Sequence, residues 1–522
     1  MKIINVLKSV LVFILVTALY FIIFLPALNF QSMSFVMYFI IIVSILVMVN
    51  LIDFKQSDPK KLLAPVKKYL IAIGIVFLIM FIGFMVYSPT FNSKAYATRI
   101  TITNSDFKAD IDEVDLGNLP LLDRNSTEKV GDRVMGQIPE LISQFKVSDL
   151  YSQVNYSGRL VRVTPLEYDG FIKWLSNPDG SVGYIKVDST TGAADLIKLD
   201  EGMKYLPSAY IFKNLKFHLR MQYPTAIFDN SKFEIDDEGN PYWITPVMKY
   251  KWIGVLEDVK GVVVTDPVSG ESNYYDNQDI PAWVDHVYPS SLVLDQVNDW
   301  GLYQGGFFNS FLSQKDVRKT TSGYTYLADE SDIFVYTGIT SALADESNIG
   351  FVLVNLRTKE CMYYPVAGAE EFSAMASAEG AIQEKNYIST FPLLINLNKE
   401  PTYLVSLKDG AGLVKAYAFI DVVDYQKVRV TDSSAGLQTA ASNYLAMLGV
   451  EDTQVKKGEQ KTGVIDDIQE VVIDGNSYYY LKLVNDQEIY KALVSVNDGL
   501  PFFKIGDTIS FTYNGDQINF VK

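Results

Sequence analysis

The sequence predicts a membrane-anchored α+β protein with three N-terminal transmembrane helices, tandem α+β modules outside the membrane and a small C-terminal β-barrel. Three observations lead to this fold class. The runs apolar enough to cross a bilayer all lie in the first 88 of 522 residues, a hairpin motif recurs three times between residues 183 and 359, and strand signals are dense after residue 462. Together they indicate an anchor followed by a large exterior body.

The predicted anchor consists of apolar runs at about 9–28, 34–52 and 69–87. Each run approaches the ~20 residues that an α-helix needs to cross the hydrocarbon core. A buried core helix is the alternative for any single run, but three uncharged runs in succession favour membrane spans. The first run is also longer than the ~7–15 apolar residues of a cleaved signal peptide, so we expect it to be retained.

Lysines near the predicted spans indicate their orientation. Two lysines precede the first run and five lie between the second and third, whereas residues 30–33 carry no charge; the lysines are Lys2, Lys8, Lys55, Lys60, Lys61, Lys67 and Lys68. Positive charge near span ends stays in the cytoplasm. The sequence therefore predicts a bacterial plasma-membrane protein whose N-terminus is cytoplasmic and whose residues 89–522 are extracytoplasmic.

The N-terminal 88 residues carry a net positive charge, and the rest of the chain carries a net negative charge. Residues 1–88 hold seven Lys and two Asp, a balance of +5, so the remainder holds −21 because the whole chain carries −16. So acidic an exterior is expected to repel nucleic acid and anionic lipid. The single cysteine, Cys361, excludes an intramolecular disulfide framework. A cysteine-poor exterior fits a bacterial cell surface, particularly a Gram-positive one.

The hairpin motif occupies residues 183–192, 261–270 and 350–359. In every copy a Gly leads an Asp or Asn by five positions, and a Gly or Lys follows four positions later: Gly183, Asp188 and Gly192; Gly261, Asp266 and Gly270; Gly350, Asn355 and Lys359. Asp or Asn opens a tight turn by bonding nearby backbone, and Gly takes the position with φ above zero. The pattern predicts strand, turn and returning strand, with Lys359 at a position that favours Gly.

A helix and a second turn–strand unit are predicted after each hairpin. The helices fall at about 208–223, 282–300 and 370–387, and the turn–strand units at 238–245, 332–337 and 399–406. Copies that start 78 and 89 residues apart suit an array of small α+β units. The predicted domains are an anchor at 1–88, a neck at 89–178, modules at 179–258, 259–345 and 346–432, a helix and linker at 433–461, and a barrel at 462–522.

The hairpins at 185–192 and 263–271 resemble those of the PepSY family. That resemblance implies small α+β modules outside bacterial membranes, alone, in tandem or beside peptidases that they are thought to regulate. Residues 20–450 also resemble uncharacterised Gram-positive membrane proteins with a large exterior region, through the segments 25–29, 122–126, 163–167, 240–243 and 345–351. Some of those proteins are labelled as a colicin V production family. This second resemblance implies an envelope protein and transfers no catalytic residues.

The tail from residue 462 carries signals for five short strands, with turns at 474–476 and 485–486. Asp-Gly between apolar alternations is a strong hairpin signal. Five short strands in ~60 residues indicate a small closed barrel, OB-like or SH3-like. Its acidity argues against the oligonucleotide binding of some OB barrels.

Residues that carry out catalysis or hold metals are sparse. The two histidines, His218 and His286, stand outside any His-Glu-x-x-His motif, and residues 236–240 lack the ligand spacing of an EF-hand loop. We therefore predict structural roles for both histidines, a hairpin turn at 236–240, and no catalytic residue, cofactor or metal. Aromatic residues are abundant, and the candidates for protein binding are Trp174, Trp243, Trp252, Trp283 and Trp300.

Two functions remain open from the sequence. The first is a non-catalytic binding or regulatory scaffold of the cell envelope, attached through its three spans. Its partner would be an envelope or membrane protein, with cell-wall glycan as a further candidate and nucleic acid excluded. The alternative is an envelope enzyme, or a secretion or transport component, acting on wall polymers or exported proteins. A buried carboxylate pair in an exterior cleft would favour the enzyme, and a flat aromatic patch would favour the scaffold.

Overall fold

The computed structural model of the chain describes residues 2–53, 59–117, 119–329, 332–341, 347–450, 459–473, 476–497, 499–514 and 517–521. In these residues β-strands are the main secondary structure. Several sheets stack in layers with helices between them, and a barrel follows. The predicted α+β fold class is therefore wrong: the described chain is mainly β. Lys55 of the predicted cytoplasmic loop and residues 451–458 of the predicted linker lie outside the described residues.

The N-terminal helices are α1 (Lys2–Phe24), α2 (Met33–Asp53) and α3 (Pro59–Val86). Among the described residues, the stretch Lys67–Val86 of α3 is the one helix long and apolar enough to cross a membrane. The apolar stretches of α1 and α2, Val10–Phe24 and Met33–Leu46, are shorter. The predictions of three transmembrane helices and of a multi-span membrane protein are wrong.

The turn between α1 and α2 is bonded to a distant part of the chain. Leu28 donates its backbone N–H to the carbonyl of Pro224 over 2.8 Å. The Gln31 side chain donates to the carbonyl of Tyr250 over 2.6 Å, although the two residues are 219 positions apart. These bonds fix the N-terminal helices to the β-rich body.

A connecting region follows α3. It contains α4 (Pro89–Ala97), β1 (Ile102–Asn104), α5 (Phe107–Asp110), α6 (Arg124–Gly136) and α7 (Pro139–Ile142). Asp123 stabilises the start of α6 by accepting a hydrogen bond from Ser126 N at 3.0 Å. The buried Met135 of α6 packs into the same core as the first sheet.

The body of the described chain contains four largely antiparallel sheets. Sheet I consists of β2 (Phe145–Val147), β3 (Ser152–Tyr156), β4 (Arg159–Tyr168), β5 (Ser181–Asp188) and β6 (Ala194–Met203), with α8 (Phe171–Ser176) between β4 and β5. Helix α9 (Leu215–Gln222) follows. Sheet II consists of β7 (Ile227–Phe228), β8 (Lys232–Ile235), β9 (Pro241–Lys249), β10 (Asp258–Thr265) and β11 (Ser272–Asp276), and α10 (Ser290–Tyr303) follows it.

The second pair of sheets continues in the same order. Sheet III consists of β12 (Arg318–Thr320), β13 (Thr325–Asp329), β14 (Asp332–Ser341), β15 (Ser347–Asn355), β16 (Cys361–Tyr364) and β17 (Gly368–Ala369), joined by β1. Helix α11 (Glu371–Ala381) follows. Sheet IV consists of β18 (Ile388–Ser389), β19 (Leu393–Leu397), β20 (Glu400–Lys408), β21 (Val414–Asp421) and β22 (Val428–Asp432), and α12 (Leu437–Leu448) ends the body.

The sheets share one plan, which reveals the internal repeat. In each sheet one long strand has two neighbours on one side: a short strand pairs with one end of it, and the strand just before it in sequence pairs with the other end. Two further strands extend the sheet on the opposite side of the long strand. In sheet I, Phe145 of β2 pairs with Tyr168 of β4, and Ser152 of β3 pairs with Val163 of the same strand. The plan recurs on β9, β14 and β20. Among the described strands the repeat thus has four copies, and β21–β22 is the copy that the sequence motif did not reveal.

The sheets follow other boundaries than the predicted modules. The predicted module at 179–258 joins β5–β6 of sheet I to β7–β9 of sheet II, and the modules at 259–345 and 346–432 divide the later sheets in the same way. The difference arises because the motif hairpin forms the last two strands of a sheet, not the first two. The predicted helices correspond to the shorter helices α9, α10 and α11.

Each helix after a sheet packs between that sheet and the next. Leu292, Val293 and Val297 of α10 belong to one core with apolar residues of sheets II and III. Helix α9 shares a core with sheets I and II, and α11 shares one with sheets III and IV. Side chains alternate between the faces of a strand, so Val263 of β10 faces the core of α9 while its neighbours face the core of α10.

The predicted hairpin turns are confirmed. Gly192 and Gly270 have φ angles of 74° and 86°, and Lys359 adopts the same left-handed conformation at 68°. The side chain of Asp188 accepts hydrogen bonds from the N–H groups of the two residues after Ser189, at 2.9 and 2.8 Å. Asn355 makes the equivalent bonds in the third copy. The motif therefore specifies the turn geometry that its residue types suggest.

The C-terminal strands form a closed barrel. They are β23 (Glu459–Ile473), β24 (Asn476–Leu483), β25 (Ile489–Leu493), β26 (Thr508–Asn514) and β27 (Gln517–Val521), in the order β23-β24-β25-β27-β26. Ile465, Leu481, Ile509 and Ile518 are buried in its interior. This region therefore folds around a core of its own.

We expect Gly270→Ala to destabilise the body more than Gly192→Ala. Both substitutions place a side chain in a left-handed conformation, which costs about 1–2 kcal/mol. A Cβ on Gly270 would also lie 2.4 Å from the Tyr205 ring, whereas a Cβ on Gly192 would meet only Leu122 Cδ1, at 3.3 Å. Overpacking adds about 1–3 kcal/mol at Gly270. Thermal unfolding of both variants measures the difference, and equal losses would contradict the turn packing described here.

Candidate functional site

The sheets of the body surround a central cleft, and each of them contributes to its lining. The cavity has a volume of about 360 Å³, which lies within the range of pockets that hold small ligands. Its lining residues are Pro120, Leu121, Leu122, Asp123, Arg124, Asn125, Tyr151, Gln153, Arg162, Lys232, Tyr324, Thr325, Tyr326, Thr390, Phe391, Leu393, Leu404 and Ser406. They span nearly 290 positions of the chain, so the fold alone assembles this site.

Basic side chains dominate the charge of the central cleft. Arg124, Arg162 and Lys232 line it, and Asp123 is the one carboxylate among the lining residues that the structure describes. Asp123 is already paired with Lys408. Burial opposes its ionisation, but hydrogen bonds from Lys408 and Ser126 outweigh that effect and lower the pKa of Asp123. The cleft is therefore locally positive inside an acidic chain.

Burial of these cations in the cleft destabilises their charged forms. It lowers the pKa of the Arg162 guanidinium to about 10, although the nearby Asp123 carboxylate opposes the shift. Burial also lowers the pKa of Lys232, and repulsion from Arg124 adds to the effect. A bound anion would offset the cost of keeping such groups charged away from water. The electrostatics of the cleft thus favour a negatively charged ligand.

Three shielded donors in the cleft lack acceptors in the described chain. Arg162 Nε, Gln153 Nε2 and Tyr151 Oη are all buried from solvent, and none of them is hydrogen-bonded to a described residue. A buried donor left without an acceptor costs about 1–3 kcal/mol. Oxygen atoms of a ligand or of water would recover that energy. These donors therefore select for oxygen-rich ligands as well as for negative charge.

A smaller cavity of about 180 Å³ adjoins the central cleft. The two share Lys232, Tyr324 and Tyr326 in their linings. The smaller cavity is also lined by His286 and Ser290. Lys232 and the two tyrosines thus form the boundary along which a ligand in the cleft would reach His286.

A network of buried acids lies behind His286. Glu234 accepts hydrogen bonds from the backbone N–H groups of Asp285 and His286, at 2.9 and 3.0 Å. Its Oε1 lies 2.9 Å from His286 Nδ1. Asp285 Oδ2 accepts from Asn155 N at 2.8 Å, while its Oδ1 is buried without a partner in the described chain. The network joins the loop before α10 to sheets I and II.

The two acids of this network are buried and do not line either cavity. Glu234 and Asp285 have exposed fractions of 0% and 1%, and neither lines a cavity described above. Ser290 Oγ is bonded to Tyr326 Oη at 2.8 Å, and the described residues contain no bond between this serine and His286. A Ser-His-Glu arrangement is therefore not assembled there. Among the described residues, no group of three or more His, Cys, Asp or Glu is placed to hold a metal ion.

His218 lies in α9, and residues 236–240 form a turn. His218 Nε2 lies 2.7 Å from the carbonyl of Gly270, so it ties α9 to the hairpin of sheet II. Burial lowers the pKa of His218. Asp236 accepts hydrogen bonds from the N–H groups of Glu238 and Asn240, at 3.1 and 2.8 Å, which confirms the predicted turn between β8 and β9.

The five tryptophans are scattered over the molecule. Trp243 is fully buried and donates to Tyr205 O at 3.0 Å, so it cannot contact a partner. Trp283 packs on Tyr242, Trp300 packs on Tyr363, and Trp252 packs on α3. Trp174 is the member that joins an exposed apolar patch, where it meets Phe171 and Tyr210. The predicted set of binding aromatics thus forms no common surface.

Sequence reasoning missed the basic residues of the cleft. Arg162 interrupts the apolar run 160–163 in β4, and Lys232 is the first residue of β8. A charge inside such a run indicates either an edge or a polar cavity, and that signal was available. The sequence does not indicate which of these positions meet in space.

Comparisons with known proteins add little. No protein-family model matches the chain, and no curated protein matches it either. A solved structure, the Bombyx mori GH32 beta-fructofuranosidase BmSUC1, is similar with 10% sequence identity over 76% of this chain and 68% of that chain. Its TM-score is 0.18, and a similarity at that level supports no conclusion about fold or function.

We expect Asp285→Asn to stabilise the protein at neutral pH. Burial, followed by the charge of Glu234, raises the pKa of Asp285 well above its ordinary value. The folded state then holds its proton more tightly than the unfolded state, so stability falls as pH rises from about 4 through the folded pKa. Asparagine keeps the acceptor for Asn155 and removes the charge.

The test is chemical unfolding of parent and variant between pH 4 and pH 8. The advantage of Asp285→Asn should grow with pH, whereas Asp200→Asn, at an exposed position, should follow the parent. A variant that loses stability at every pH would show that the Asp285 carboxylate is needed in its charged form.

Proposed function

We propose that this chain is a membrane-attached binding or regulatory protein of the bacterial cell envelope, without catalytic activity of its own. Its central cleft binds an acidic segment of a partner protein. The observation that carries the proposal is the concentration of Arg124, Arg162 and Lys232 in one cleft of an otherwise acidic chain. Arginine clusters are a recurrent means of binding acidic motifs.

The charge distribution supports selectivity as well as binding. The acidic surface repels most anions, so an acidic segment would be held only where local cations outweigh the overall field. Tyr324, Tyr326 and Phe391 supply aromatic surface beside the cations. A peptide offers both carboxylates and apolar side chains, and it therefore matches this lining better than a small inorganic anion does.

The resemblances found in the sequence agree with this function. PepSY-like hairpins imply modules that act on partner proteins, and the Gram-positive relatives imply a place in the envelope. The alternative, an envelope enzyme or a secretion or transport component, has less support because Glu234 and Asp285 do not reach a described cavity. The inferred partner remains an envelope or membrane protein.

Attachment to the plasma membrane is proposed through α3. Lys67–Val86 provides 20 residues, or roughly 30 Å of helix. Lys67 and Lys68 stand at its start, and lysine near a span end favours the cytoplasmic side. With this orientation residues 89–522 are extracytoplasmic, and the cleft faces the cell wall compartment.

The binding proposal is tested with a fluorescent hexaglutamate peptide and the purified full chain. We expect saturable binding that weakens with added salt, and about tenfold weaker binding for Arg162→Gln and for Lys232→Gln, as for the loss of ~1.4 kcal/mol. Fluorescence anisotropy gives the affinities. Lys198→Gln is the matched control, because it removes an equal charge from an exposed position of β6.

The controls make the result decisive. Labelled hexalysine should not bind, and thermal unfolding should confirm that each variant is folded. Equal weakening by Lys198→Gln would indicate general charge attraction rather than the cleft. Hexaglutamate binding that both cleft variants leave unchanged would reject the central cleft as the site.

The topology is tested by cysteine labelling in cells stripped of their wall. The native Cys361 has an exposed fraction of 1%, and burial raises the pKa of its thiol to about 12, so it should remain unreactive. An impermeant maleimide should label Asp195→Cys, on exposed β6, in intact cells. It should label Ser57→Cys only after lysis. Labelling in the reverse order would place the body in the cytoplasm.

A further inference from the structure

Two cavities meet where the N-terminal helices join the body. The first is an apolar groove of about 430 Å³ between α2 and α3. Val36 and Phe39 of α2 line one side, Val76 and Met80 of α3 line the other, and Trp252 closes the end. The lining residues of α3 run from Val76 to Met80, about 6 Å along the helix axis.

The second cavity is polar and has a volume of about 620 Å³. Arg99, Lys249 and Lys251 line it together with Gln296. Gln31 and Lys251 line both cavities, so the apolar groove and the polar cavity adjoin at these residues. The combined shape is that of an amphiphile, with a narrow apolar part and a wider charged part.

Trp252, which lines the apolar groove at its junction with the polar cavity, is tightly packed. Trp252 packs on α3 so closely that a Cβ on Gly83 would lie 2.1 Å from its indole ring. The Tyr87 ring stacks on the same indole, with 6.0 Å between ring centroids. Gly83 is therefore required for this contact, and the mouth of the groove has a fixed position relative to Lys251.

The polar cavity contains hydrogen-bond donors and positively charged side chains. Lys251 is exposed and forms no ion pair with any described residue, while Lys249 lies 3.7 Å from Asp258. Arg99 is paired with Asp299, yet its Nε is shielded and lacks an acceptor in the described chain. The carboxylates that line the cavity are Glu257 and Asp258, and Asp258 is itself bonded to Lys359 at 2.8 Å.

We propose that this composite cavity binds a membrane lipid with an anionic headgroup. One acyl chain occupies the groove between α2 and α3, and the headgroup phosphate lies beside Lys251 and Lys249. The inference rests on the proposed insertion of α3 into the bilayer, which places the groove at acyl-chain depth and the polar cavity at headgroup depth. It also refines the expectation that the acidic body avoids anionic lipid, because the local cations face the membrane end of the molecule.

The experiment uses the full chain in two steps. Flotation with vesicles of phosphatidylcholine first measures membrane attachment, which belongs to the proposed function. Native mass spectrometry of the protein in detergent then counts lipids retained after exposure to phosphatidylglycerol or phosphatidylcholine with the same acyl chains. We expect one retained phosphatidylglycerol and at least fivefold less retention of phosphatidylcholine.

Matched variants separate the two parts of the site. Val76→Phe fills the groove and should abolish retention, whereas Ile75→Phe, at an exposed position of the same helix, should not. Lys251→Gln should remove most of the preference for phosphatidylglycerol, whereas Lys260→Gln, at an exposed position of β10, should leave it unchanged. Hexaglutamate binding at the distant central cleft verifies that each variant is folded.

The outcomes are distinguishable. A protein that fails to float disproves the membrane attachment. A protein that floats but retains both lipids equally, or retains phosphatidylglycerol as well after Val76→Phe, disproves the lipid site alone. Displacement of the retained lipid by inorganic phosphate would show that the headgroup by itself is the ligand and would also overturn the proposal.

Discussion

The packing of a helix between successive sheets is the constraint on which the rest of this structure depends. A sheet with a helix on each face must be apolar on both, and this requirement explains runs such as Val262-Val263-Val264, in which alternate residues enter different cores. Hydrogen bonds hold some of the polar groups in these layers. Glu234 shows this, because its carboxylate accepts from two backbone N–H groups and contacts His286. The layers are thereby joined by polar bonds as well as by apolar contact.

The central cleft follows from the same arrangement. Where the layered sheets approach one another at their ends, their side chains no longer fill the space, and the charged residues Arg162 and Lys232 occupy it. An interior formed by helix packing could not hold these cations. The chain as a whole is acidic whereas the cleft is basic, so the net charge of the chain does not describe the charge at the cleft.

Local features of the fold could be predicted from the sequence, and long-range features could not. The turns at Gly192, Gly270 and Lys359 depend on residues within ten positions, and their residue types fixed the left-handed conformation. The helices after each hairpin were also foreseen, although the structure makes them shorter. The extents of the sheets were not, since β2 pairs with β4 across the intervening strand β3 and no local signal indicates that pairing.

The site was still less accessible to prediction. Asp123 and Lys408 are paired across 285 positions of the chain, and no periodicity connects them. The cleft also draws on every sheet of the body, so a tilt of one layer against its neighbours changes its width. Because binding and conformation are thermodynamically linked, a ligand that binds most tightly at one width of the cleft stabilises the arrangement of sheets that has this width.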